Sequence, residues 1–328
     1  MIRILDNYKI GTLASYKAIE RGEVNYNWIV KTTEGKYILR KESSFKKLPD
    51  LEFQFNYLTY LKSHGFPYRI PVPILTKNRK HYIKSNKSYF WLYEYIEGRI
   101  RTRFGLKELR QVAKMMAGYH HLIEQLKLDN KKGNSDVFGK KSVLKELTTF
   151  RNKVIEKPKK DRKDNIFLKE APELIRLLKS LDDREYAQLK RYPLHRDITP
   201  TNILWKGNKI AGIVDFENVS LRNEPTIKDI AVMLQYSCRD KKHQYKSDLK
   251  LSKFFLEEYR KHHSISNEEI KFIPDIITAG AIEDFAYAYW MLVNVPERAK
   301  LYRLKLYSNV AKWHFGNRGL ILKRLSFR

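Results

Sequence analysis

Polar and apolar residues alternate over residues 26–31 and again over residues 36–41, the period of a half-buried strand. Thr32-Thr33-Glu34-Gly35 lies between them and predicts a hairpin turn. The period then lengthens: Leu51, Phe55, Leu58 and Leu61 recur every three or four residues, which predicts a helix over residues 49–64. Gly65 fits its stop and Pro67 discourages continuation. Beyond the extended step Pro71-Val72-Pro73, two further strands are predicted at residues 81–84 and 88–96, joined by a turn at Ser85-Asn86-Lys87. One helix among several antiparallel strands describes a small α+β lobe, residues 1–97.

From Gly98 onward the pattern is mainly helical. Residues 106–126 set Leu109, Val112, Ala113, Met116, His120 and Ile123 along one face. Residues 127–170 are polar and basic and read as loop with a broken helix, and residues 171–190 read as helix. A hairpin is predicted within residues 192–217, turning at Lys206-Gly207-Asn208. Helices resume over 228–236, over 248–262 with Ser247 as N-cap, over 276–292 and over 299–315. The expected architecture is α+β, with a β-rich lobe over 1–97 and a larger helical lobe over 98–328.

Composition narrows the classes. The 328 residues are 42 % hydrophobic and 13 % aromatic, enough to fill a core, which excludes a disordered chain. The single cysteine, Cys238, excludes an intramolecular disulfide and a multi-cysteine zinc site, and it fits a reducing compartment. The opening MIRILDNYKI lacks the pattern of a secretory signal. The best uninterrupted apolar run, residues 285–293, falls short of the ~18–20 residues that cross a bilayer. A soluble cytoplasmic protein without a membrane span is the expectation.

The charge opens a second question. With 65 basic and 37 acidic residues the formal net charge is +28, and two stretches concentrate it, residues 140–169 and 291–328. Clustered Lys and Arg suit nucleic acid or another anionic surface. The blander reading, a lysine-rich composition spread over solvated helix faces, is favoured, because sequence does not show that these charges share a face.

The segment that carries chemistry is His195-Arg196-Asp197-Ile198-Thr199-Pro200-Thr201-Asn202, followed across the hairpin by Ile213-Val214-Asp215-Phe216-Glu217. A loop–hairpin–loop path returns Asp215 towards the first loop. That gathers hard oxygen ligands of the kind Mg²⁺ takes beside a carboxylate free to act as base.

His-x-Asp-x-x-x-x-Asn followed by a strand ending in Asp-Phe-Glu resembles the aminoglycoside phosphotransferase, choline kinase and type II homoserine kinase family, which has the two-lobed protein-kinase-like fold. The resemblance implies ATP and Mg²⁺ as cofactors, Asp197 as catalytic base, and Asn202 and Asp215 as metal ligands. It also implies a basic residue on the strand Lys36-Tyr37-Ile38-Leu39-Arg40 that grips the nucleotide phosphates. Arg40 is the candidate and Lys41, on the opposite face, the fallback. Glu52 matches the acid that pairs with that basic residue. Glu94 and Ile96 match the hinge whose backbone bonds adenine, and Asp229 matches an acid that braces the catalytic loop. The stretch Gly22-Glu23-Val24-Asn25 has one glycine where a protein-kinase phosphate loop has three.

The expected activity is therefore an ATP- and Mg²⁺-dependent phosphotransferase acting on a hydroxyl of a small metabolite such as an amino acid, sugar or polyol. Its alternatives are a non-catalytic kinase-fold scaffold, or a kinase whose acceptor is RNA or another anion. His195 reads as a loop brace rather than a base, and Tyr287 to Trp290 as core. Glu283 and Asp284 stay open between an acceptor pocket and an internal or solvent-facing role.

Overall fold

The computed structural model describes residues 2–19, 25–43, 46–126, 136–219 and 223–327. Two compact units emerge. The first comprises residues 1–101, 122–126 and 201–221; the second comprises residues 102–121, 127–200 and 222–328.

In the first unit a short helix α1 (Ile2–Leu5) precedes strands β1 (Leu13–Ile19), β2 (Tyr26–Thr32) and β3 (Lys36–Lys41). Helix α2 (Leu48–Ser63) follows, then β4 (Ile83–Ser85) and β5 (Ser88–Glu94). The strands form an antiparallel sheet in the order β1-β2-β3-β5-β4. Strand alternation divides its faces. Val30, Leu39 and Leu92 pack with Leu5, Tyr8 and Ile10 on one side, while Ile38, Trp91 and Tyr93 pack on Leu51 and Phe55 of α2 on the other. The four apolar residues that predicted α2 are all fully buried. Gly65, at φ +78°, ends it in the left-handed region that glycine adopts without strain.

The second hairpin, β6 (Ile203–Lys206) and β7 (Lys209–Ile213), belongs to this first unit although it lies far along the chain. Gly212 permits its approach: a Cβ there would meet the Arg69 carbonyl oxygen at 2.4 Å. The Arg69 carbonyl accepts from the Ile213 N–H at 2.9 Å, and Arg99 and Trp205 exchange backbone bonds in both directions.

The second unit is helical: α3 (Leu106–Glu124, ending in the first unit), α4 (Lys140–Ile155), α5 (Arg162–Ser180), α6 (Arg184–Gln188), α7 (Ile227–Ser237), α8 (Leu249–Arg260), α9 (Asn267–Ile270), α10 (Ile273–Asn294), α11 (Tyr302–Gly316) and α12 (Arg318–Leu325). Of residues 127–170, expected as loop with a broken helix, 127–135 lie outside the described residues, and the rest holds α4 and the first half of α5. Their charged residues sit around a buried stripe, Val143, Leu147 and Val154 on α4, and Phe167, Ala171, Leu174 and Leu178 on α5. Asp161 and Asp164 close a capping box on α5. Helix α8 is capped by Asp248, not Ser247: the Asp248 side chain accepts from the N–H groups of Lys250 and Leu251. Residues Asn267–Asn294 include an 18-residue window of mean hydropathy 1.2, long and apolar enough to cross a membrane by composition, yet 61 % of it is buried. There α10 packs against α4, α5, α7 and α11 as a core helix.

Candidate active site

Arg40 lies on the face of β3 that packs against α2, as the alternation requires, and is almost fully buried. Lys41 points the other way, its ammonium over the rings of Tyr26 and Phe90. Three carboxylates surround the Arg40 guanidinium. Its Nε lies 3.0 Å from Glu42, its Nη1 donates to Asp215 at 3.2 Å, and its Nη2 donates to Glu217. Burial opposes the charge, but Glu42, Asp215 and Glu217 outweigh it and hold the guanidinium firmly protonated.

Glu42 is itself fixed, its carboxylate accepting from the Trp91 indole N–H at 2.6 Å. Glu217 accepts from the Asn25 amide, and its backbone carbonyl accepts from Lys46 at 2.7 Å. Burial and then the neighbouring Asp215 push the Glu217 carboxyl above the ordinary carboxylate range. Burial likewise lowers the Lys46 ammonium.

Glu52 does not take part. It is exposed on α2, on the side of His81 and Tyr82, whose ionisation its charge influences. The expected Arg40–Glu52 pair is therefore replaced by Arg40–Glu42. The helical phase that buries Leu51 and Phe55 turns Glu52 away from the sheet. Sequence reasoning missed Glu42, and it read Glu217 only as the end of Asp-Phe-Glu, without its contact with Arg40. Glu42 stands two positions past Arg40 and so on the same strand face, and Glu217 stands two past Asp215.

Asn202 and Asp215 flank the second hairpin. The Val214 N–H donates to the Asn202 carbonyl at 2.9 Å, which brings the two ends of the hairpin together. Asn202 is buried; Asp215 adopts φ +68°, a left-handed conformation rare outside glycine. At the expected hinge, Glu94 is exposed and paired to Arg69 at 2.7 Å, and Ile96 is buried. The Tyr95 N–H donates to the Lys36 carbonyl at 2.9 Å, whereas the Ile96 N–H finds no backbone acceptor among the described residues. Gly22 to Val24 lie outside the described residues.

Among the described residues, the carboxylates of Glu42, Asp215 and Glu217 pair with Arg40, and Lys46 bonds the Glu217 backbone carbonyl. Among the described residues no group of three His, Cys, Asp or Glu is placed to hold a metal ion by itself. Asp215 and Asn202 carry hard oxygen donors of the kind Mg²⁺ takes, and Mg²⁺ is commonly held by one or two protein ligands together with substrate phosphates and water.

Asp197 belongs to the second unit, where three contacts fix its loop. The Asp197 N–H donates to Nδ1 of buried His195 at 3.2 Å, and the Thr199 N–H donates to the Asp197 carbonyl at 2.9 Å. The N–H of Arg196, at φ +61°, donates to Asp229 at 2.7 Å. His195 thus turns Nδ1 inward as a brace. Asp229 is wholly buried, and its other oxygen lies 3.5 Å from Nε2 of His120. Nδ1 of His120 bonds the Tyr259 hydroxyl at 2.7 Å, and that hydroxyl reaches His263 at 3.2 Å. Elsewhere in this unit Asp284 accepts from Tyr236 at 2.5 Å and from Gln235 at 3.2 Å. Burial raises its pKa to about 6.

A sheet with a buried basic residue on its third strand, followed by His-x-Asp-x-x-x-x-Asn and Asp-Phe-Glu about a hairpin, defines a kinase-like phosphotransferase. The phosphotransferase enzyme family model matches residues 15–261, and the chain belongs to that family; it is a phosphotransferase whose acceptor is a hydroxyl group. It is 24 % identical over 299 residues to a homoserine kinase of Sinorhizobium medicae (strain WSM419), covering 91 % of this chain and 86 % of that one. The fold is similar to an aminoglycoside phosphotransferase from Alicyclobacillus acidocaldarius, at TM-score 0.64 and 17 % identity over 99 % of this chain and 95 % of that one. It is also similar to a spectinomycin phosphotransferase solved with ADP and spectinomycin, at TM-score 0.67 and 15 % identity over 98 % and 96 %.

Proposed function

We propose that the protein transfers the terminal phosphoryl group of ATP, with Mg²⁺, to the hydroxyl of a small hydroxylated amino acid of the homoserine type. The observation that carries this is the Arg40 cluster. Glu42 holds the guanidinium from behind while its Nη groups turn to Asp215 and Glu217, so positive charge is oriented before a polyphosphate arrives. Asn202 and Asp215 would hold the metal, which neutralises charge on the phosphates. The Ile96 N–H and Glu94 carbonyl are assigned to adenine, and the bracing role expected of Glu52 passes to Glu42.

Asp197 accepts the proton of the substrate hydroxyl as the new oxygen–phosphorus bond forms. The bond between the β-phosphate oxygen and the γ-phosphorus breaks, and ADP leaves. Homoserine is the first acceptor to test because the relative at 24 % identity spans nearly the whole chain.

The test is ADP release with L-homoserine beside choline, sugars and spectinomycin. A hydroxylated amino acid should give the highest kcat/KM, and Asp197→Asn should lower kcat by about 10²–10⁴. A variant within about tenfold of wild type would overturn the role of Asp197. Turnover of another alcohol, with none of any hydroxylated amino acid, would overturn the substrate.

A further inference from the structure

The two basic stretches of the sequence, residues 140–169 and 291–328, meet at a cavity of about 410 Å³ in the second unit. Its floor is a stripe of α5. Arg162, Ile166 and Lys169 stand four and three residues apart, which sets them on one helix face over two turns, ~10 Å. Lys160 precedes α5, and Lys305 comes from α11.

Two carboxylates also line the cavity, and both are engaged. Asp161 caps α5, accepting from the N–H groups of Lys163 and Asp164, and its side chain pairs with that of Lys163. Glu170 accepts from Ser308 at 2.5 Å and from Lys312 at 2.7 Å. Lys160 donates to the Lys157 carbonyl at 3.0 Å. Arg162, Lys169 and Lys305 have no ion-pair partner among the described residues. Four cations, Lys160, Arg162, Lys169 and Lys305, therefore share one concave surface with two carboxylates already engaged, the charge of Lys169 acting also on Glu170, so positive charge is in excess there. Such a cleft focuses positive potential and concentrates small anions.

We propose that this cavity binds a small anion carrying one or more phosphate groups, bridging α5 and α11. None of its lining residues belongs to the candidate active site, and the proposal does not rest on the function assigned there. A concave site of a few hundred cubic ångströms suits a small molecule better than an extended strand of nucleic acid.

Inorganic pyrophosphate, titrated calorimetrically into the full chain at fixed ionic strength without divalent metal, tests this. The cavity variant is Arg162→Ser with Lys305→Ser. The control is Lys241→Ser with Lys242→Ser, which removes equal charge from another exposed site. The cavity variant should weaken pyrophosphate binding at least tenfold, or delete one of two sites, while the control stays within twofold. Equal weakening in both variants, or none in the cavity variant, would overturn the proposal. A single-stranded RNA that displaces pyrophosphate and loses affinity alike in both variants would mark a diffuse basic surface and overturn it as well. If the first variant does not fold, Lys169→Gln with Lys305→Gln is read by the same criteria.

Discussion

Arg40 is a buried cation whose position depends on which carboxylate stands beside it; Glu52 was expected in that part, and Glu42 fills it. Glu52 was expected from the family resemblance, but helical phase, which the packing of Leu51 and Phe55 fixes, turns it outward. Glu42 is buried, ion-paired to Arg40 and bonded to Trp91. Glu42→Gln keeps the acceptor for Trp91 while removing the charge behind Arg40. Breaking a buried pair from one side costs about 3–5 kcal/mol. Asp215 and Glu217 still face the guanidinium, so a loss of about 1–3 kcal/mol in urea unfolding is expected, with at least a tenfold rise in KM for ATP. Glu52→Gln should change either quantity less than twofold. Equal effects from the two substitutions would show that Glu42 is not the brace. At this scale the strand face of Arg40 and the hairpin between Asn202 and Asp215 were readable because alternation and a short turn are local rules, while the roles given to them came from the family resemblance. Glu42 and Glu217 were not, because their part depends on a side chain reached across the fold.

Three helices of the second unit, α3, α7 and α8, supply the side chains behind the Asp197 loop. His120 of α3, Asp229 of α7 and Tyr259 of α8 form a buried line that ends at the Arg196 N–H. Tyr259→Phe preserves the ring but leaves Nδ1 of His120 without its 2.7 Å partner, a cost of about 1–3 kcal/mol for a buried unsatisfied group. Because the line leads to the loop and to no proposed substrate contact, kcat should fall severalfold with KM for ATP unchanged. A rise in KM alone would assign Tyr259 to binding. Asp229 was singled out by the family resemblance, but its link to α3 and α8 was not. Histidines and tyrosines in apolar helices look alike whether they pack or link. Helices α4 and α5 were obscured for a different reason: dense lysine on their solvent faces hid apolar stripes that only the packing against α10 and α11 makes plain.

Across the whole molecule the formal charge of +28 understates the positive character of the surface. Six acidic side chains are buried among the described residues, Glu42, Asp164, Glu224, Asp229, Glu258 and Asp275, whereas Arg40 is the one buried lysine or arginine among them. Four of these acids, Asp164, Glu224, Glu258 and Asp275, pair with a lysine or arginine, and the excess positive charge rests on the remaining exposed bases. Self-repulsion of this kind destabilises the compact state, and salt screens it once the Debye length falls to about 10 Å near 0.1 M. The melting temperature should therefore rise by several degrees between about 20 mM and about 300 mM NaCl, as a relief of about 1–2 kcal/mol would produce in a chain of this size. The outward charges differ from those of the α5 cavity in one measurable respect. Screening depends on ionic strength alone, so chloride serves as well as any anion, whereas an anion held in the cavity raises the melting temperature at constant ionic strength. A melting temperature flat or falling with NaCl would mean that the outer cations are already neutralised by neighbours. The excess charge would then be a property of composition without energetic weight.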